Sequence, residues 1–183
     1  MRLWISSALL VATAAAALAT DPVPHKAGEF TIVEPNGKQA LLSSYKGKVV
    51  VLAFIHTTCP HCQAFMQTCA KLHTDMSPKG LQVLAVAFND NAAMLVNSFV
   101  QQYKIPFPVG YSNFDAVQSY LGFSIMDRWV VPQVLVIDRK GMVQAQSEVG
   151  GTPNLQDEQY LRTLLDKLLK EGETAKKAPK TRR

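Results

Sequence analysis

The sequence predicts an α/β fold of three layers, with helices packed on a mixed central sheet. Three apolar, β-branched runs carry this reading: Val49–Ile55, Leu81–Phe88 and Val134–Ile137. Each is continuous rather than alternating, as in a strand buried on both faces. Two segments between them place apolar residues at helical spacing. One stripe is Cys62, Phe65, Met66, Cys69, Leu72 and Met76; the other is Leu95, Val96, Phe99, Val100 and Tyr103.

The remaining elements follow in chain order. Phe30 to Val33 reads as a short strand, Asn36-Gly37 as a tight turn, and Lys38 to Leu42 as its return. The first helix should start near Pro60, because proline's missing N–H is not needed in a first helical turn. Pro78-Lys79-Gly80 breaks that helix. Ile105 to Val109 suggests a short extended piece and Phe114 to Leu121 a short helix. Arg139-Lys140-Gly141 is a turn, and Met142 to Val149 alternates as an antiparallel edge strand would. Leu161, Leu164, Leu165, Leu168 and Leu169 stripe a final helix. The order is strand–helix–strand–helix–strand–strand–helix, without an internal repeat. A single domain, residues 28–171, is expected.

With 183 residues, 48% of them apolar and 18% charged, the chain is long enough for a substantial core and too apolar for general disorder. Arg2, the uncharged run Leu3 to Leu18 and the small residues of Ala17-Leu18-Ala19 have the form of a signal peptide over residues 1–19, cleaved after Ala19. The run falls short of the ~20 residues that span a bilayer; an uncleaved anchor is the alternative. No cysteine lies near the cleavage site for lipid attachment. Residues 20–27 read as a polar linker. The expected location is periplasmic or otherwise exported, where disulfides persist. The stretch from Lys170 to Arg183 carries four of the five net positive charges, so residues 172–183 read as a solvated, disordered basic tail. Attraction to anionic lipid or an acidic partner is the sharper reading of it. No basic patch inside the domain points to nucleic acid.

The chemistry concentrates in Cys59-Pro60-His61-Cys62. Two intervening residues allow the two sulfurs to reach bonding distance in a turn of helix. The helix N-terminus stabilises a thiolate, and His61 adds a positive or hydrogen-bonding neighbour. Cys59 is then the nucleophile, forming a mixed disulfide that Cys62 resolves. A metal site is a competing reading, since His56 and His61 flank the same loop, yet two cysteines make only half of a structural zinc site. A purely structural disulfide would close too small a loop to stabilise much. Cys69 lies seven residues after Cys62, ~10.5 Å along a helix, and reads as a buried free thiol. His25 and His73 carry no partner signal, and His73 reads as a helix-surface residue.

The stretch Lys46-Gly47-Lys48 with the following strand and Cys59-Pro60-His61-Cys62 resembles the TlpA/ResA-type branch of the thioredoxin superfamily. So does the run from Val131-Pro132-Gln133 to Asp138-Arg139-Lys140-Gly141. The segment between Asn89 and Val131 looks like that branch's central insertion. The resemblance covers nearly the whole domain and implies a thioredoxin-like fold with an N-terminal strand pair. It also implies a cis-proline at Pro132, with the Val131 backbone beside the sulfurs to receive an extended substrate as an added strand. Trp129, three residues before Pro132, is a candidate wall of that groove. Four features depart from the pattern. Pro60-His61 is the dipeptide of DsbA-like oxidants. Ala53 replaces thioredoxin's buried acid, and Phe65 stands where ResA-like proteins carry a glutamate. Thr57-Thr58 replaces the usual aromatic before the first cysteine.

The resemblance implies dithiol–disulfide exchange with protein substrates, without a metal or any cofactor beyond the Cys59–Cys62 disulfide. The branch argues for a reductase, in cytochrome c maturation or copper-site cysteine reduction, recharged by a membrane electron donor. A DsbA-like oxidant, discharging to a membrane acceptor, is the alternative; a copper or zinc chaperone is the alternative of another class. A thiol peroxidase of this fold needs Pro and Thr where Leu52 and His56 stand. A monomer is expected.

Overall fold

A computed structural model describes residues 22–177, with side chains described through residue 171. The expected signal peptide and the end of the basic tail lie outside the described residues. Eight strands form one mixed sheet in the order β1-β8-β7-β4-β5-β6-β2-β3. They are β1 (His25–Lys26), β2 (Thr31–Val33), β3 (Gln39–Leu41), β4 (Val49–Ile55), β5 (Leu81–Ala87), β6 (Val109–Tyr111), β7 (Gln133–Ile137) and β8 (Met142–Gln146). The helices are α1 (Pro60–Met76), α2 (Ala92–Tyr103), α3 (Phe114–Leu121) and α4 (Glu158–Lys177).

β4 is the centre of the sheet. It pairs in parallel with β5 and antiparallel with β7, and every one of its residues is buried. Successive strand side chains point to opposite faces, so β4 feeds two cores. Val49, Val51, Ala53 and Ile55 pack with α1, α2 and α4; Val50, Leu52 and Phe54 pack with α3 and the N-terminal strands. The six predicted stripe residues of α1 are the buried residues of that helix. Burying each large apolar side chain contributes about 1.5–3 kcal/mol, which anchors the helix that carries the cysteines. α1 runs into a 3-10 turn at Ser77–Lys79 and stops at Gly80, whose φ of 103° only glycine adopts without strain.

Four expectations are corrected. β8 is not the sheet edge: His25 and Lys26, inside the expected linker, pair outside it with Val143 and Met142. The extended piece expected over Ile105 to Val109 becomes a strand only from Val109, where pairing with Ala85 of β5 begins. His73 is not a surface residue. It is half-buried, its ring lies 5.6 Å from that of Phe107, and its Nδ1 is buried without a hydrogen bond. Lastly, the backbone expected to open the disordered tail continues α4 to Lys177.

Candidate active site

The chain leaves β4 at Ile55, crosses a short loop and enters α1 with Cys59 as N-cap. Cys59 is extended (φ −85°, ψ 120°); its N–H donates to the His56 carbonyl at 3.2 Å and its carbonyl accepts the Gln63 N–H at 3.0 Å. Pro60 opens the helix, and the Cys59 side chain takes up none of the first-turn N–H groups. Cys59 therefore stands at the positive end of the helix dipole, before first-turn N–H groups that no cap side chain occupies.

Cys59 is half-buried and Cys62, one turn on, is fully buried. Burial pushes the Cys62 thiol well above the ordinary cysteine range, and its hydrogen bond to Cys59 pushes the same way against the His56 main chain. The inner sulfur thus holds its proton while the outer one faces solvent. No carboxylate figures among the groups that act on Cys62; Ala53 and Phe65 are both buried apolar residues. Cys69 is completely buried, and burial alone raises its pKa. All three cysteines are free thiols. Pro60 and His61 are exposed. His56 is half-buried with its ring 4.5 Å from that of Phe88; burial lowers its pKa, against the pull of Asp90.

Side chains that sequence reasoning overlooked hold this loop. The Asn89 Oδ1 accepts the Thr57 N–H at 2.9 Å and the Thr57 hydroxyl at 3.3 Å, while its Nδ2 donates to the Asp90 carbonyl at 2.9 Å. The Gln63 amide donates to the Thr57 carbonyl at 3.0 Å. Asn89 lies just past the C-terminal end of β5, where α/β sheets place functional residues. That position was the one sequence signal for it.

The Val131–Pro132 peptide bond is cis. The register Phe54↔Gln133 puts Pro132 at the end of β4 from which the cysteine loop departs. Pro132 is buried and Val131 half-buried, packed against both cores. Gln133, fully buried, donates to the Val130 carbonyl at 2.7 Å and so fastens the segment before the proline. Trp129 is half-buried and stacks on Phe88 at 5.2 Å and 14°, with Phe114 at 5.2 Å and Phe123 at 5.4 Å. Phe88 links Trp129 to His56, so an aromatic cluster adjoins the cysteine loop. Beside it Ile125 and Met126 are 86% and 84% exposed. Among the described residues no group of three or more His, Cys, Asp or Glu is arranged to hold a metal ion.

A paired-cysteine loop on this sheet defines a thioredoxin-like thiol–disulfide oxidoreductase. The chain belongs to the AhpC/TSA family, whose profile matches residues 23–146. It is 29% identical over 139 residues to the thiol-disulfide oxidoreductase ResA of Bacillus thuringiensis subsp. konkukian, covering 76% of each chain. A crystal structure of a protein assigned as the thiol:disulfide interchange protein DsbE of Chlorobium tepidum superposes with a TM-score of 0.62 at 26% identity, covering 77% of this chain and 94% of that one. A solution structure of a protein assigned as a thioredoxin of Neisseria meningitidis gives 0.64 at 28% identity, covering 81% and 92%.

Proposed function

We propose that the protein is an extracytoplasmic disulfide reductase in which Cys59 attacks and Cys62 resolves. The observation that carries this reading is the asymmetry of the pair: Cys59 half-buried at the helix mouth, Cys62 sealed behind it. The Cys59 thiolate attacks one sulfur of a substrate disulfide, forming a mixed disulfide and expelling one substrate thiolate, which takes up a proton. Cys62 loses its proton to solvent and attacks the Cys59 sulfur. The Cys59–Cys62 disulfide forms and the second substrate thiol leaves. Two electrons pass to the substrate, and a membrane electron donor returns them. The substrate strand lies along the Val131 main chain, with Trp129 as one wall of the groove.

Location outside the cytoplasm rests on the signal-peptide form of residues 1–19. The reducing direction rests on the TlpA/ResA resemblance, whose roles in cytochrome c maturation and copper-site assembly need cysteines kept reduced. Pro60-His61 favours the opposite direction, so the potential is the decisive measurement. Reducing and oxidising members of the superfamily differ by about 150 mV, or ~7 kcal/mol for two electrons. Equilibration with glutathione should place the couple near the thioredoxin value of about −270 mV. A value near the DsbA one, about −120 mV, overturns the reductase assignment. Cys62→Ser should accumulate mixed disulfides on Cys59, identifiable by mass; substrates found on Cys69 instead would sink the assignment of roles.

A further inference from the structure

The segment from α3 to the cis-proline exposes apolar surface that the fold itself does not bury. Four of the eight exposed large apolar side chains among the described residues lie in it: Phe114, Ile125, Met126 and Val130. Scattered apolar residues on a surface need no explanation, but a contiguous group of them marks an interaction site. Ile125 and Met126 are neighbours and the most exposed of the eight. The turn that carries them is fastened. The Ser124 N–H donates to the Asp127 carboxylate at 2.7 Å, and the Asp127 N–H donates back to the Ser124 carbonyl at 3.0 Å. The Met126 N–H donates to the Ser124 hydroxyl at 3.2 Å, and the Gln118 amide of α3 donates to the Ser124 carbonyl at 2.9 Å.

This turn is tied to the dithiol by ring contacts. Phe123 and Trp129, 5.4 Å apart, close its base; Trp129 stacks on Phe88, and Phe88 meets His56 in the cysteine loop. The main chain from the turn to Pro132 has one open position. Val130 is engaged at both groups: its N–H donates to the Val149 carbonyl at 3.2 Å and its carbonyl accepts the Gln133 amide at 2.7 Å. Among the described residues the N–H and carbonyl of Val131 have no hydrogen-bond partner.

We propose that Ile125 and Met126 select the polypeptides that the dithiol acts on, taking those with large apolar side chains beside the reacting cysteine. The occupant is an extended segment that pairs with the open Val131 main chain and lays alternate side chains on the turn. Main-chain pairing is indifferent to sequence, so the apolar contact carries the choice. Two side chains already held out on a fastened turn avoid the ordering cost that a loose loop incurs on binding. An extended segment covers the apolar surface and still delivers its cysteine to Cys59. A second copy of this chain seated there would compete with substrate beside the cysteine loop. The selection rests on the exchange reaction of Cys59 and Cys62 and stands whichever direction the dithiol runs.

The test uses the reduced full chain and two peptides of equal length and charge, each with one cysteine joined to thionitrobenzoate as a mixed disulfide. Leucine and phenylalanine flank the cysteine in one peptide, serine in the other. Cys59 attacks the peptide sulfur and expels coloured thionitrobenzoate; Cys62 then displaces the peptide thiol. The dithiol is oxidised by two electrons and the probe disulfide is reduced by the same two. With each rate divided by that of dithiothreitol, the apolar peptide should react about tenfold faster than the polar one. I125S/M126S should lose this preference by slowing the apolar peptide alone. Its rates with the polar peptide and with the peptide-free disulfide of thionitrobenzoate should stay unchanged, which also reports that it folds. I125L/M126L should keep the preference. Equal wild-type rates for the two peptides, a preference that survives I125S/M126S, a uniform loss on all three probes, or conversion of a dimer to a monomer by I125S/M126S in sedimentation would each overturn the proposal. Failure of the wild-type chain to release thionitrobenzoate from any probe would sink the exchange reaction, and the selection with it.

Discussion

The loops at the two ends of β4 are fastened by side chains of different character, a neutral amide at one and a cation at the other. At the exit Asn89, a neutral amide, gathers the Thr57 N–H and hydroxyl into the loop before Cys59. At the entrance Arg139, a cation, donates to the carbonyls of Gly47 at 3.0 Å, Lys79 at 2.9 Å and Leu169 at 3.4 Å. Those three bonds join the start of β4, the turn after α1 and α4. The charged tie gathers more chain, yet it stands at the end without the dithiol. A guanidinium beside Cys59 would set a full positive charge next to the sulfur; the neutral tie sets none there. Loop fastening and charge placement are thus separated along one strand.

Substitutions at the two ends should therefore fail differently. The largest effect belongs to Cys59→Ser, which should drop disulfide exchange to background in a protein-disulfide reduction assay, whereas Cys69→Ala should retain exchange. Comparable losses in both variants would erase the distinction between the helix mouth and its middle. Next, Asn89→Ala leaves the buried Thr57 N–H unsatisfied and should cost about 1–3 kcal/mol by urea unfolding. It should also slow single-turnover exchange by about tenfold as the loop loses its position. At the entrance, Arg139→Met should cost about 2 kcal/mol, the scale of hydrogen bonds from a charged group, while the exchange rate stays unchanged. An Arg139 variant that slowed exchange as much as the Asn89 one would mean that the ends are not independent.

The smallest effect is in pH. Burial holds His56 and His73 below their usual value of 6.5, opposed by Asp90 at His56 and reinforced by Lys48 at His73. The folded chain therefore binds protons at these rings less readily than the unfolded one. Their contribution to stability is complete above pH 6.5 and is lost as the pH falls below it. The thermal midpoint should decline between pH 7 and 5, less steeply in His73→Asn, whose ring no longer titrates. An identical decline in that variant would remove His73 from the account.

Much of the frame was legible in the sequence because it rests on local periodicity. The bounds of β4, the start of α1 at Pro60 and its six-residue buried stripe follow from patterns within a few turns of chain. The Cys59–Cys62 pair was legible for the same reason, and the cis bond at Pro132 came through resemblance. Long-range partners were not. Asn89 lies 32 residues from Thr57, and nothing in either segment marks the other. Trp129 was singled out, but its stack on Phe88 joins parts of the chain that only the insertion's path brings together. β8 alternates like an edge strand because its own pattern cannot register that His25 and Lys26 cover it.

From its own order of residues, this protein determined which strands are buried, where the cysteine helix begins and which sulfurs share a turn. Hydrophobic period and backbone chemistry act over neighbours, so a linear reading reaches them. Tertiary structure alone decided what holds the loop before Cys59 and how Trp129 meets Phe88 beside it. Those outcomes depend on desolvation and on contacts between distant segments, which exist only once the sheet has closed.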